Sequence, residues 1–145
     1  SKYKGSDGIE RNTAFNGQYV VNLLAGKEFN IGRTKENTLA INFKATLMGG
    51  KRYIPINREL TQETKSIVYY TEDAYSKKYK DYFRPDIKIS YNINKAKVTH
   101  QISVDIQNIA NYQNLFQENY NIKSDSFTQE YQTGLFPEVQ YRIMF

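Results

Sequence analysis

Long stretches of this chain alternate apolar and polar residues with a period of two. Only an extended strand with two different faces uses such a pattern. From Asn37, the positions Leu39, Ile41, Phe43, Ala45 and Leu47 alternate with Ala40, Asn42, Lys44, Thr46 and Met48. From Asp81, Phe83, Pro85, Ile87, Ile89, Tyr91 and Ile93 alternate with Arg84, Asp86, Lys88, Ser90 and Asn92. From Lys97, Val98, Ile102, Val104 and Ile106 share a face with His100, and Thr99, Gln101, Ser103, Asp105 and Gln107 take the other. Near the end, Leu135, Pro137, Val139, Tyr141, Ile143 and Phe145 alternate with Phe136, Glu138, Gln140, Arg142 and Met144. A noisier segment runs from Phe15 to Ile31, with Lys27 on the face of Tyr19, Val21, Leu23 and Phe29. The composition agrees with an all-β chain, because 13 Tyr and 8 Phe accompany frequent Ile, Val and Thr in 145 residues. That aromatic content also argues against disorder.

The strands are joined by connections of two lengths. Residues 32–37 and 94–97 are short turns. Roughly residues 49–80 and 112–129 are long loops, the first opening on Gly49-Gly50 and the second rich in Asn, Gln, Ser and Tyr. Short and long connections alternate along the chain. The pattern has two physical solutions. In one, each apolar face packs on a soluble core, as in a β-sandwich or closed barrel that binds a small ligand. In the other, the apolar face meets lipid and the polar face lines a lumen.

Strand length favours the second. Each strand runs about 10 residues or more, close to the 9–11 a tilted strand needs to cross a bilayer, whereas soluble strands are usually shorter. Tight turns on one side and long loops on the other, with aromatics such as Tyr53, Tyr82, Phe83 and Tyr112 near strand ends, also fit a transmembrane barrel. In that reading Arg84, Asp86, Lys88, Asp105, Glu138 and Arg142 face the lumen, where water and lateral pairing make their charge tolerable. The expected fold is all-β: about five or six antiparallel transmembrane strands. A complete small barrel needs about 8, and an open edge in lipid is not viable. The whole chain, 1–145, is therefore expected to be one piece of a larger barrel. Its first residues carry no initiator Met or apolar leader, which leaves a mature protein or a fragment open.

Several function classes drop away. The chain has no Cys, so disulfides, thiolate metal sites and Cys nucleophiles are excluded. Its one His, His100, has no second His for a metal site and no nucleophile elbow to serve, and is read as an interfacial wall residue. The carboxylates Glu72-Asp73 lie in a polar loop, and no phosphate-binding glycine loop is present. No enzyme activity and no cofactor are expected. The net charge is +5, but acids and bases interleave, so no nucleic-acid surface is indicated. The tyrosines Tyr69, Tyr70, Tyr75, Tyr79, Tyr112, Tyr120 and Tyr131 in and beside the long loops either pack the loops together or stack on an incoming ligand.

Particular motifs add a family resemblance. Tyr82-Phe83-Arg84-Pro85-Asp86-Ile87-Lys88-Ile89-Ser90-Tyr91 resembles the antepenultimate strand of TonB-dependent outer-membrane receptors of the Bacteroidetes type. Asp105-Ile106-Gln107-Asn108-Ile109-Ala110-Asn111 is similar to the Asp-x-Gln-Asn-x-x-Asn stretch that follows in those receptors. Gly134-Leu135-Phe136-Pro137 then leads to a final strand ending in Phe145. Gly49-Gly50-Lys51-Arg52-Tyr53-Ile54-Pro55-Ile56 and Tyr3-Lys4-Gly5-Ser6-Asp7-Gly8 resemble loop motifs of the same group.

The resemblance implies the C-terminal portion of a barrel, expected to have 22 strands, in the outer membrane of a Gram-negative bacterium. It implies import of a bulky nutrient, such as an iron chelate or an oligomer. The expected partners are the rest of the barrel and its plug, the lipid bilayer, the barrel-assembly machinery, TonB acting through the plug that this chain lacks, and in some receptors a surface lipoprotein. The resemblance also implies that Tyr141, Ile143 and Phe145 form a signal read by the assembly machinery. It orients the short turns to the periplasm and the long loops outward. The transported ligand does not follow from the fold.

Overall fold

The computed structural model describes residues 1–33 and 36–145. Thr34 and Lys35, part of the first expected short turn, lie outside the described residues. In chain order the strands are β1 (Lys2–Lys4), β2 (Glu10–Asn12), β3 (Val20–Ile31), β4 (Asn37–Met48), β5 (Arg52–Tyr53), β6 (Lys77–Lys78), β7 (Tyr82–Asn94), β8 (Thr99–Gln107), β9 (Leu115–Asn121), β10 (Ser126–Tyr131) and β11 (Phe136–Met144). One helix, α1 (Arg58–Thr64), and one 3-10 turn, Thr71–Asp73, interrupt them. The all-β expectation holds, with antiparallel sheets throughout.

The chain divides into two units. The sheet unit comprises Val21–Thr46, Phe83–Tyr112 and Thr133–Phe145. Its five strands lie in the order β11-β8-β7-β4-β3, so each long strand neighbours the next one in sequence. Lys95 N bonds Val98 O at 2.9 Å and closes the tight turn between β7 and β8. Both long connections leave from the opposite strand ends. The first long strand, β3, begins at Val20 rather than Phe15, because Phe15 lies in a turn and Gln18 takes φ 77.

Register sorts the sheet into rows of one character. Glu138, Asp105 and Lys88 form one polar row, Gln140, Ser103 and Ser90 the next, and Arg142, Gln101 and Asn92 a third. The apolar rows between them are Val139, Val104 and Ile89, then Tyr141, Ile102 and Tyr91. Their exposure is inverted relative to a soluble sheet. Ser103 is 2% exposed and Ser90 6%, while Val139 is 72% exposed and Ile102 45%. A soluble half-buried sheet turns its apolar face to a core and its polar face to water. Here the apolar face is the open one. Of the large hydrophobic side chains among the described residues, only Tyr120 is buried, and it belongs to the other unit. The edge strands are open as well: β3 is exposed along all but its last residue, and β11 along all but Gln140.

The loop unit comprises Ser1–Val20, Leu47–Tyr82 and Gln113–Gln132. The segments expected to be plain loops are partly regular. Residues 49–80 carry α1, and residues 112–129 carry most of the β9–β10 hairpin. Asn57 caps α1 by accepting from Leu60 N at 3.1 Å, Glu59 sits at the positive end, and Lys65 in the left-handed region (φ 54) ends it. Seven residues do not hold a helix alone. Buried Thr61 fixes this one, because its hydroxyl oxygen accepts from Val68 N at 3.0 Å. Backbones also meet closely here. A Cβ on Gly49 would lie 1.7 Å from Gly17 O, and one on Gly50 would lie 1.9 Å from Tyr79 O, so only glycine fits either position.

Candidate functional site

The polar face of the sheet unit gathers the expected charged residues. Arg84 and Asp86 both project from β7, because residues two apart share a strand face. The Arg84 guanidinium donates to both Asp86 carboxylate oxygens, at 2.8 and 3.1 Å, and to Gln107 Oε1 at 3.0 Å. Asp86 Oδ1 also accepts from Asn108 N at 2.9 Å. The ion pair therefore runs along one strand, and the lateral partner is an amide rather than an opposite charge. Lys88 and Asp105 stand directly across from each other, with Glu138 next in the same row. Arg142 donates to Gln140 Oε1 at 3.4 Å. Lys44, Arg84, Lys88, Asp105, Asn42 and Gly26 line a cavity of about 460 Å³ on this face. Such a surface suits a hydrated, polar neighbour.

The Asp-x-Gln-Asn-x-x-Asn residues have structural reasons for their types. Gln107 takes the second arm of Arg84. Asn108, 1% exposed and with φ 50, bonds both Tyr112 N and Tyr112 O at 3.0 Å. Asn111, with φ 47, accepts from Leu135 N at 3.0 Å. Asn is among the few residues that tolerate this backbone region. Asn108 and Asn111 organise the turn but were not legible as site residues from alternation, because they lie just past the strand.

The tyrosines separate into different roles. Tyr69 and Tyr75, with Tyr53, Tyr79, Phe116 and Glu118, line a cavity of about 250 Å³ in the loop unit. Tyr53 and Tyr79 stack with centroids 4.3 Å apart. Burial pushes the Tyr79 phenol up. Tyr70 and Tyr131 are exposed, and Tyr131 bonds Gln129 Oε1 at 2.7 Å. Tyr120 is buried against Phe127, its hydroxyl bonded to Asp125, so it packs the hairpin and is not open to a ligand. Tyr112 belongs to the sheet unit and meets Phe83 edge-on at 6.0 Å.

Arg52, in the glycine-led motif, holds the loop unit by donating to the carbonyls of Asn16, Tyr75 and Ser76. Asp81 accepts from the Tyr19 hydroxyl and, at 3.0 Å, from Gly50 N. The Tyr19 hydrogen bond first, and then the Gly50 amide, hold the Asp81 carboxyl below its ordinary range.

At the chain end, Tyr141, Ile143 and Phe145 lie on the outward parity, and Phe145 is 98% exposed. His100 shares that face. Its Nδ1 lies 2.7 Å from the Tyr141 hydroxyl, and the rings stack. Glu72 and Asp73 are exposed in the 3-10 turn.

No family model, no curated protein and no solved structure matches the chain. Among the described residues, no group of three or more His, Cys, Asp or Glu is placed to hold a metal ion. No helix among them is long and apolar enough to cross a membrane, a statement that concerns helices alone.

Proposed function

We propose that this chain is the C-terminal strand set of a TonB-dependent outer-membrane receptor that imports a bulky nutrient such as an iron chelate or an oligomer. The observation that carries the reading is the inverted sheet: the apolar rows lie open and the serine row is sheltered. Lipid is the solvent for which that inversion is stable, since lipid-facing residues are apolar and lumen-facing ones polar in such barrels. In this reading the edges of β3 and β11 pair with strands of the rest of the barrel, because unpaired backbone groups do not persist in hydrocarbon. The polar face looks onto the lumen and plug, and TonB acts through that plug. The loop unit is extracellular, where its tyrosine cavity is available to incoming solute. Tyr141, Ile143 and Phe145 supply the strand edge that the assembly machinery recognises. In this reading the outer loops also offer a surface to a lipoprotein partner. The role is transport, without cofactor, nucleic acid or chemistry of its own.

Extraction of the native protein tests the reading. It should stay in the outer-membrane pellet through an alkaline carbonate wash, and deletion of Phe145 should lower the amount assembled there. Release of the native protein as a soluble monomer would point instead to a soluble β-barrel or sandwich that binds a small ligand.

A further inference from the structure

Lys27 is the one charged residue on the outward parity of β3, among Val21, Leu23, Ala25, Phe29 and Ile31. The opposite parity is fixed by two contacts: Asn22 accepts from Thr46 at 2.9 Å, and Gly26 lines the polar cavity. Lys27 is exposed, and its ammonium lies 5.2 Å from the Phe29 ring centroid. That contact leans the cation toward the short-turn end of the strand. Between Lys27 and Ile31 the strand covers about 13 Å, or about 9 Å of depth at a 45° tilt. A lysine at such depth snorkels along apolar neighbours toward the headgroups.

The sequence places more cations at the same end. Arg33 opens the first short turn, and Lys95 and Lys97 lie in the second, with Glu36 the one acid described there. Arg33, Lys95 and Lys97 are exposed. Among the described residues, none of Lys27, Arg33, Lys95 and Lys97 has an ion-pair partner.

We propose that the short-turn rim, with Lys27 above it on the outer face, binds the phosphates of anionic phospholipids. The inference rests on the barrel reading and adds a lipid class to it. Charge complementarity selects the occupant: clustered cations beside a bilayer attract anionic headgroups, and the outward parity of Lys27 puts it where acyl chains lie. A zwitterionic lipid offers the same phosphate with its charge cancelled.

The test uses the full-length receptor purified in a neutral detergent. Phosphatidylglycerol or phosphatidylcholine is added, and native mass spectrometry counts the lipids retained. Phosphatidylglycerol should be retained about fivefold or more over phosphatidylcholine. Lys27→Gln combined with Lys95→Gln and Lys97→Gln should erase the difference, and the matching Lys→Arg set should keep it. Equal retention of both lipids, or undiminished preference in the Gln set, overturns the proposal. The Lys95→Gln, Lys97→Gln pair alters only turn residues, so a smaller loss there gives the same answer if the triple variant assembles poorly. Carbonate extraction of the membranes from which the receptor is purified separates the two failures. A protein that stays in the pellet but shows no lipid preference fails this inference alone. A protein that washes out fails the barrel reading with it.

Discussion

At Asn108 the chain leaves β8 with φ 50 and a side chain that satisfies both backbone groups of Tyr112. Asn108→Ala removes those bonds from the backbone N–H and C=O of Tyr112 and keeps an unfavourable backbone. The combined cost is about 2–4 kcal/mol. Urea unfolding in lipid vesicles should show it, and Asn108→Gly should recover only the backbone part. Asp81 gives a pH dependence. Its folded carboxyl ionises below the ordinary value of 3.8, chiefly through the Tyr19 hydrogen bond. The stabilisation is therefore complete above pH 3.8 and is lost as the pH falls through the lowered folded value. The Tyr19 phenol is raised above 10.0 by the same bond, so its contribution holds below pH 10 and is lost as the pH rises through the folded value. The hydrogen-exchange protection factor of the Gly50 amide should stay level between these limits and drop below pH 4. In Asp81→Asn the acid limb should disappear.

Among the elements, α1 depends on its cap. Asn57→Ala should cost about 1 kcal/mol, read as faster proteolysis within Arg58–Thr64 and lower amide protection at Leu60, with β7 and β8 unaffected. This helix also marks the limit of what the sequence made legible. The five long strands follow from alternation because one face of each is predominantly apolar, Lys27 in β3 and His100 in β8 being the exceptions. Arg-Glu-Leu-Thr-Gln-Glu-Thr has no apolar stripe, and only Asn57 and Glu59 signalled a start. The β9–β10 hairpin was hidden for a related reason. In Leu115–Asn121 one face carries Phe116, Glu118 and Tyr120 and the other Leu115, Gln117, Asn119 and Asn121, so neither is apolar throughout, and the hairpin is held by Tyr120, Phe127 and Asp125 instead. The lumen candidates were legible as a face, since they share one parity. The partner of Arg84 was not, because Asp86 on its own strand and Gln107 on the neighbouring strand compete with the charges farther along the sheet. For Tyr120 the sequence left packing and ligand stacking open, because sequence alone does not separate a loop-packing tyrosine from an exposed one; in the structure it packs against Phe127.

For the whole molecule, the account turns on which face of the sheet meets lipid. Val139→Arg puts a guanidinium on the open apolar face and should destabilise by about 2–4 kcal/mol if that row lies near the bilayer midplane. Gln140→Arg, one residue later on the sheltered face, should cost far less. Equilibrium unfolding in vesicles compares the pair directly. The chain has no cysteine, so each introduced cysteine is the one thiol within these 145 residues. The most direct measurement is nitroxide labelling at each position from Gln101 to Asp105 in β8 and from Glu138 to Arg142 in β11, with the receptor in lipid vesicles. The account predicts that Ile102, Val104, Val139 and Tyr141 report high oxygen and low nickel-chelate accessibility, and that Gln101, Ser103, Asp105, Glu138, Gln140 and Arg142 report the reverse. Apolar positions shielded from both probes, or equally open to the aqueous one, would contradict it.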